Sequence, residues 1–280
     1  MDFLLEPAGF DIGETGGWVV DATAPLWQAM LVGLSNTLRV SLPALALSLL
    51  LGAAVGLMRL SPQAVPRRLA TAWVEALRNL PLLIQLLMWY FLLLEWLPSP
   101  DQALHLGHAV WLSKGGLSFP WWDAVHGQWQ WPEPGPFNVS GGATLTPEYL
   151  AVCLALSTYT SAYVAEIVRA AVQSVPRALL EAAETLGATP SQVRWRVLRP
   201  QAWRVAAPPL ANQAINLVKN SSLAVAVGYP DLVSVGNTAL NQTGRAVQCI
   251  AVMMTVYLAL SWGLSWLVNS RLSAPAGHTA

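Results

Sequence analysis

Arg39 and Lys219 stand out in this 280-residue chain because each is a cation placed inside a long apolar run. A charge held at mid-bilayer depth costs at least about 2.5–3.5 kcal/mol, so such a residue needs a partner or a wet path. In the functional reading, one or both attract a carboxylate as it crosses. In the structural reading, they pair with Glu166 or Glu75, or snorkel to the interface on their long stems. Asn36 lies one helical turn before Arg39, and Asn212, Gln213 and Asn216 precede Lys219 at the i, i+1, i+4 spacing of a helix face. These amides either line a polar path or bond across to a neighbouring helix. Arg39, Lys219, Asn36, Asn216 and Glu166 are the candidate pathway residues.

Catalytic chemistry finds little support. Lys114 and Lys219 follow Ser113 and Val218, so the Gly-x-x-x-x-Gly-Lys-Ser/Thr cradle of an ATPase is absent from the sequence. His105 and His108 have a spacing that can suit a metal. They sit in a Pro/Gly-rich stretch with no further ligand cluster, which reads as solvated surface, and no metal site is expected. Cys153 and Cys249 lie in separate apolar runs and read as small core residues. The spans show no Ser-His-Asp set and no paired carboxylates, so a membrane enzyme is the weakest reading.

One stretch is built for water. Across residues 176–200, Leu179, Ala182, Ala183 and Leu186 fall on one helical stripe, and Arg177, Glu181 and Glu184 take the opposite face. Ser174 and Pro176 mark the start, and Gly187 supplies a left-handed stop. Thr189, Pro190 and Gln192 then form a second start with capping-box spacing, and Pro200 closes that second helix. Helix, glycine turn, helix makes a short amphipathic knob that can slot into a groove on another protein. The alternative is an ordinary connector on the bilayer surface.

The elements that position these residues are membrane spans. The chain is 54% hydrophobic and 11% charged, with zero net charge and a mean hydropathy of +0.45. Soluble domains carry about 25% charged residues, so a multi-spanning membrane protein is expected and a nucleic-acid binder is not. Five stretches suit spans, at about 33–58, 80–97, 149–171, 205–227 and 246–268. Arginines collect between the first and second spans, around the loop from the third to the fourth, and after the fifth. Only Lys114 and Arg245 lie on the other side. That bias places residues 174–200 and a tail at 273–280 in the cytoplasm, and the N-terminal segment 1–26 outside. The segment carries five acidic residues and no Lys or Arg, which is unlike a cleaved signal. Residues 98–147 form an outer insertion rich in Pro, Gly and Trp, read either as an interfacial belt or as a docking ledge. Gly52 and Gly56 permit close helix packing, expected to be within the chain.

The order of motifs resembles one family over about residues 30–270. Glu181-Ala182-Ala183, Gly187 and Val197-Leu198-Arg199-Pro200 look like the EAA loop of bacterial ABC-importer permeases. Gly33–Ser41, Glu75–Gln85, Tyr159–Arg169, Leu217–Ala224 and Tyr229–Leu232 resemble further segments of the polar-amino-acid branch, in the right order. The insertion that ends at Glu148 looks like the general L-amino-acid branch, whose members favour acidic and polar amino acids. Tyr229 departs from the family where a small or branched residue is commoner, and Arg199 departs where Leu is usual.

The resemblance implies an all-α type I importer permease with a transmembrane domain at 27–272. It implies coupling to a separate ATPase through Arg177, Glu181, Ala182, Ala183, Leu186, Gly187, Val197 and Pro200. No cofactor is expected in this chain, since ATP and Mg would be bound by the ATPase. The implied partners are that ATPase, a second permease chain (a paralogue rather than a second copy), a periplasmic amino-acid-binding protein, the inner-membrane bilayer and a polar amino acid. The competing reading is a stand-alone transporter or channel driven by an ion gradient. It is weakened by the odd span count and the absence of a visible inverted repeat.

Overall fold

The computed structural model describes residues 2–18, 20–123, 127–135 and 138–272. The expected tail 273–280, His126, Phe137 and His278 lie outside the described residues. Helices occur at all five expected span positions. By length and composition, three described helices can each cross a membrane alone: α1 (Leu26–Arg59), α4 (Pro147–Gln173) and α9 (Ala246–Leu272) over its stretch Ala246–Trp266.

The expected second span, about 80–97, is a short helix that follows a sharp bend. Helix α3 (Leu82–Trp96) has 15 residues, or about 22 Å at 1.5 Å per residue, short of a ~30 Å bilayer core. It is long enough to cross only jointly with α2 (Ala64–Asn79), to which it is bent by 107°. Pro81 causes the break by forcing Leu80 out of the helical region, to φ −100°, ψ 134°. Gln85 Nε2 then donates to the freed carbonyls of Leu77 (2.8 Å) and Leu80 (3.0 Å). Helix α2 fills the arginine-bearing stretch between the first two expected spans; it is amphipathic and buries Ala70 and Val74.

The fourth expected span begins earlier and ends differently. Helix α7 (Arg199–Asn220) carries Pro208, Pro209 and several polar side chains, so by composition it is not apolar enough to be a lone span. A 3-10 turn over Ser221–Val227 comes next, and then α8 (Leu232–Thr243).

Helix α4 is the hub, packed against α1, α2, α3 and α7. Its seam with α1 is close because α1 presents Gly52 and Gly56. A Cβ on Gly52 would lie 2.5 Å from Val164, and one on Gly56 would lie 2.7 Å from the Ala165 carbonyl oxygen. The glycine pair therefore packs within the chain.

At the N-terminal end of α4 the helical fold carries a β excursion. Strands β1 (Leu104–Leu106), β2 (Val110–Ser113), β3 (Gly116–Phe119) and β8 (Ala143–Leu145) form an antiparallel sheet in that order. Strands β4 (Trp121–Asp123) and β5 (Gln128–Gln130) pair Trp122 with Trp129, and β6 (Glu133–Pro134) pairs with β7 (Val139–Ser140). The N-terminal segment folds in at the same end. Phe3, Ala8 and Ile12 join a cluster with α1, α8 and α9, and Glu6 pairs with Arg245 at 3.1 Å.

Candidate functional site

At the opposite end of α4 the chain makes the expected hairpin. Ser174 caps the end of α4, so the new helix starts one step later than expected: Pro176 is the N-cap of α5 (Arg177–Thr185). The end of α5 is tied twice. The Ala188 N–H donates to the Ala183 carbonyl (3.1 Å) and the Gly187 N–H to that of Glu184 (2.9 Å). This pattern requires a left-handed residue at the turn. Gly187 supplies it at φ +84°, with open space where a Cβ would stand. The return begins with a reciprocal cap at the start of α6 (Pro190–Gln192). The Thr189 N–H donates to Gln192 Oε1 (2.9 Å), and the Gln192 N–H donates to Thr189 Oγ1 (3.3 Å).

Pro200 does not close this second helix. A π-wound turn over Val193–Leu198 leads straight into α7, with Pro200 in its first turn. The Arg199 N–H reaches back five residues to the Arg194 carbonyl, the wider winding that accommodates an interruption of the ordinary ladder. Hairpin and α7 thus form one continuous arm.

The hairpin holds to the body by little and offers much. Leu180 and Leu198 pack against the Ala171–Val175–Ala202–Ala206 cluster, and Val193 is buried. No residue of α5 is fully buried. The predicted stripe splits, with Ala183 half-buried and Leu179, Ala182 and Leu186 outward. Leu186 is 89% exposed and Trp195 61%. Arg177, Glu181, Gly187 and Pro200 are also exposed, and Val197 is half-buried. A capped turn that holds large apolar side chains away from its own core is shaped to receive another protein.

The family assignment comes from comparison with known proteins. The pattern of the family described as binding-protein-dependent transport system inner membrane component matches residues 44–271. The chain belongs to this family. It is 34% identical to AapQ, the general L-amino acid transport system permease protein of Rhizobium johnstonii, covering 95% of this chain and 81% of AapQ. It is 30% identical to GltJ, the glutamate/aspartate import permease protein of Escherichia coli K12, covering 92% and 87%. A solved amino acid ABC transporter, crystallised with histidines, shares the fold with a TM-score of 0.65 at 24% identity, covering 88% of this chain and 94% of that one. Membership makes the chain a multi-pass inner-membrane component of a transport system.

The candidate pathway residues of this membrane component fall in three places. Arg39 and Asn36 sit at the β-sheet end. Arg39 Nη1 donates to Asn36 Oδ1 (3.3 Å) and lies 3.7 Å from Glu14 Oε1. Asn36 is fully buried. Its Nδ2 donates to the carbonyls of Glu14 (2.7 Å) and Pro230 (3.0 Å), and its own carbonyl accepts from the Tyr229 hydroxyl (3.1 Å). Glu166 lies near the hairpin end of α4, held by Arg59 of α1 and Arg169 of its own helix. Asn216 and Lys219 lie on α7, exposed together with Asn212. The expected pairing of Arg39 with Glu166 or Glu75 is therefore corrected to Glu14, and Lys219 is exposed on the isolated chain rather than buried.

Glu14 is the partner that the sequence reading missed. Burial pushes its carboxyl above the ordinary glutamate value, opposed by the Thr146 hydroxyl, which donates to Oε2 at 3.0 Å, and by Arg39. The charge pattern alone did not single it out, since Asp101, Asp123, Glu133 and Glu148 stand on the same side. Among the described residues no group of three or more His, Cys, Asp and Glu could hold a metal. His105 instead stacks on Trp111 with ring centres 4.9 Å apart.

Proposed function

We propose that this chain is the permease subunit of an ATP-driven, binding-protein-dependent importer of polar amino acids, and that residues 176–200 are the contact through which a separate ATPase moves it. The observation that carries the reading is the exposed, doubly capped hairpin continuous with α7. A push on Leu179, Ala182 and Leu186 passes along one arm into the membrane. Glu181 offers a charge to a basic groove, and Ala182 lets the partner approach closely. ATP and Mg belong to the ATPase, and this chain needs no cofactor.

The arginine bias places the hairpin in the cytoplasm and the β-rich insertion, with the N-terminal segment, in the periplasm. A binding protein delivers substrate there. The relatives named for general L-amino acid transport and for glutamate and aspartate import support a polar, carboxylate-bearing substrate. Within the spans the pathway shifts from Arg39, which Glu14 already neutralises, to the α7 face of Asn212, Asn216 and Lys219. A polar face left open by the fold suits a seam with a second permease chain, a paralogue on the strength of the branch resemblance. The gradient-driven alternative has no observation in its favour.

A pull-down of the detergent-solubilised complex tests the contact. Glu181→Lys is expected to lower ATPase recovery by about tenfold or more, as like charges brought together at a docked site do. Gly187→Val is expected to do likewise by straining the φ +84° turn, and both variants should insert normally. Undiminished ATPase recovery and ATP-driven uptake in both variants would remove the hairpin from the mechanism.

A further inference from the structure

An apolar groove of about 1600 Å³ lies between α1, α4 and α7 from its hairpin end to Ala214, with Leu264 of α9 at its edge. Its α1 wall is a single stripe, Leu45, Leu49, Ala53 and Leu57, which spans about 18 Å along the helix axis. That is close to the depth of one leaflet of a ~30 Å hydrocarbon core. The α7 wall includes Ala207, Leu210 and Ala211, on the side of the helix away from Asn212, Asn216 and Lys219. The groove therefore lies on the dry side of α7.

Its lining changes character at one end only. There Arg194 and Arg199 reach it beside Trp195 and Trp203, and no carboxylate lines it anywhere. Arg194 Nε donates to the Pro190 carbonyl at 3.3 Å, which leaves the terminal nitrogens of the guanidinium available. Arg199 stacks on the Trp195 ring at 4.6 Å. Stacking occupies the face of a guanidinium and leaves its in-plane N–H donors open for a phosphate. Indole rings beside such a mouth match the residues that gather at the headgroup level.

We infer that this groove holds one anionic phospholipid of the hairpin-side leaflet, with an acyl chain along the α1 stripe and the phosphate on Arg194 and Arg199. Two arginines facing a slot without acids select negative headgroups, and the leaflet-deep apolar wall selects a lipid over a soluble phosphate. The inference rests on the membrane reading of the fold. Both arginines flank the turn that joins hairpin to α7, so the bound lipid sits at the joint of the arm.

Native mass spectrometry of the delipidated, purified transporter, with phosphatidylglycerol or phosphatidylcholine added back, tests it. The wild type should retain phosphatidylglycerol about tenfold better or more, the scale set by two arginines near a charged surface. The exposed-site double variant Arg194→Gln/Arg199→Gln should bring the two lipids to parity, and Ala211→Trp should lower retention of both. Equal retention by the wild type, or a preference that survives the double variant, overturns the inference. So does efficient cross-linking of Leu49→Cys to a second permease chain, which would show protein in the groove. ATPase recovery is scored in the same preparations. A wild-type preparation that shows the lipid preference but recovers no ATPase would count against the hairpin reading and not against this one.

Discussion

Buried charge is the residue-level feature with the sharpest measurable consequence in this chain, because burial raises a carboxyl that has no full partner. Arg39 is conspicuous as a cation in an apolar run, but its partner Glu14 lies 25 residues away, in a segment whose return to α1 has no local signature. Asp231 is similar. It reads as part of a family motif, and the structure shows it fully buried in the loop before α8, where Oδ1 accepts from the Ser234 N–H (2.8 Å) and the Tyr257 hydroxyl lies 3.4 Å from Oδ2. Burial pushes its carboxyl from 3.8 up to about 6, and the backbone donors only partly oppose this. A raised folded value means that the native state holds the proton more tightly than the unfolded chain. Stability from this group is therefore greatest below pH 3.8 and is lost as pH rises through about 6, by at most about 3 kcal/mol. Asp231→Asn keeps an acceptor for the helix cap and removes the buried charge. Thermal unfolding in detergent should show the variant gaining over wild type at about pH 8, with the gain shrinking towards about pH 4. A gain of the same size at both pH values would contradict this origin.

At the scale of elements, legibility tracks the range of the interaction. Gly187 and the Thr189–Gln192 capping box were readable because their hydrogen bonds close within five residues. Helix α4 was readable because its apolar run over about 149–171 is contiguous, whereas its start at Pro147 and its Thr146 cap emerge only in the structure. The apolar run starts at Leu80 behind Glu75, Arg78 and Asn79, so the start of α3 was legible, but the 107° bend to α2 was not, because Pro81 marks a break without giving its angle. The π-wound turn before Pro200 was harder still. A proline can end a helix or sit in the first turn of one, and only the packing of α7 against α4 decides between the two. The α1–α4 seam carries a sharp expectation. Gly52→Leu would drive a side chain into Val164 and the Ser161 carbonyl oxygen, 2.5 and 2.8 Å from the new Cβ. Backbone cannot retreat as a flexible side chain can, so a cost of at least about 1–3 kcal/mol is expected. Measured as thermal stability in detergent, Gly52→Leu should unfold well below Gly263→Leu on α9, where a Cβ has open space. Equal stability of the two variants would mean that the seam relaxes freely.

At the scale of the whole molecule, α7 divides two environments. One face lines the apolar groove, and the other carries Asn212, Asn216 and Lys219, exposed on this chain. In a bilayer an uncovered amide or ammonium demands water or protein, so the second face belongs to a wet seam while the first meets lipid. Thiol chemistry separates the two, because the thiolate that reacts forms only where water reaches. Cys153 and Cys249 are buried and free, so their background is low. In the assembled transporter, Asn216→Cys and Lys219→Cys should react with a charged, membrane-impermeant maleimide at least about tenfold faster than Leu210→Cys on the groove face. Addition of a transported amino acid should slow the first two and leave the third unchanged. Labelling of all three at one rate would mean that α7 does not separate a path from the lipid. The import pathway would then have to be sought on another helix.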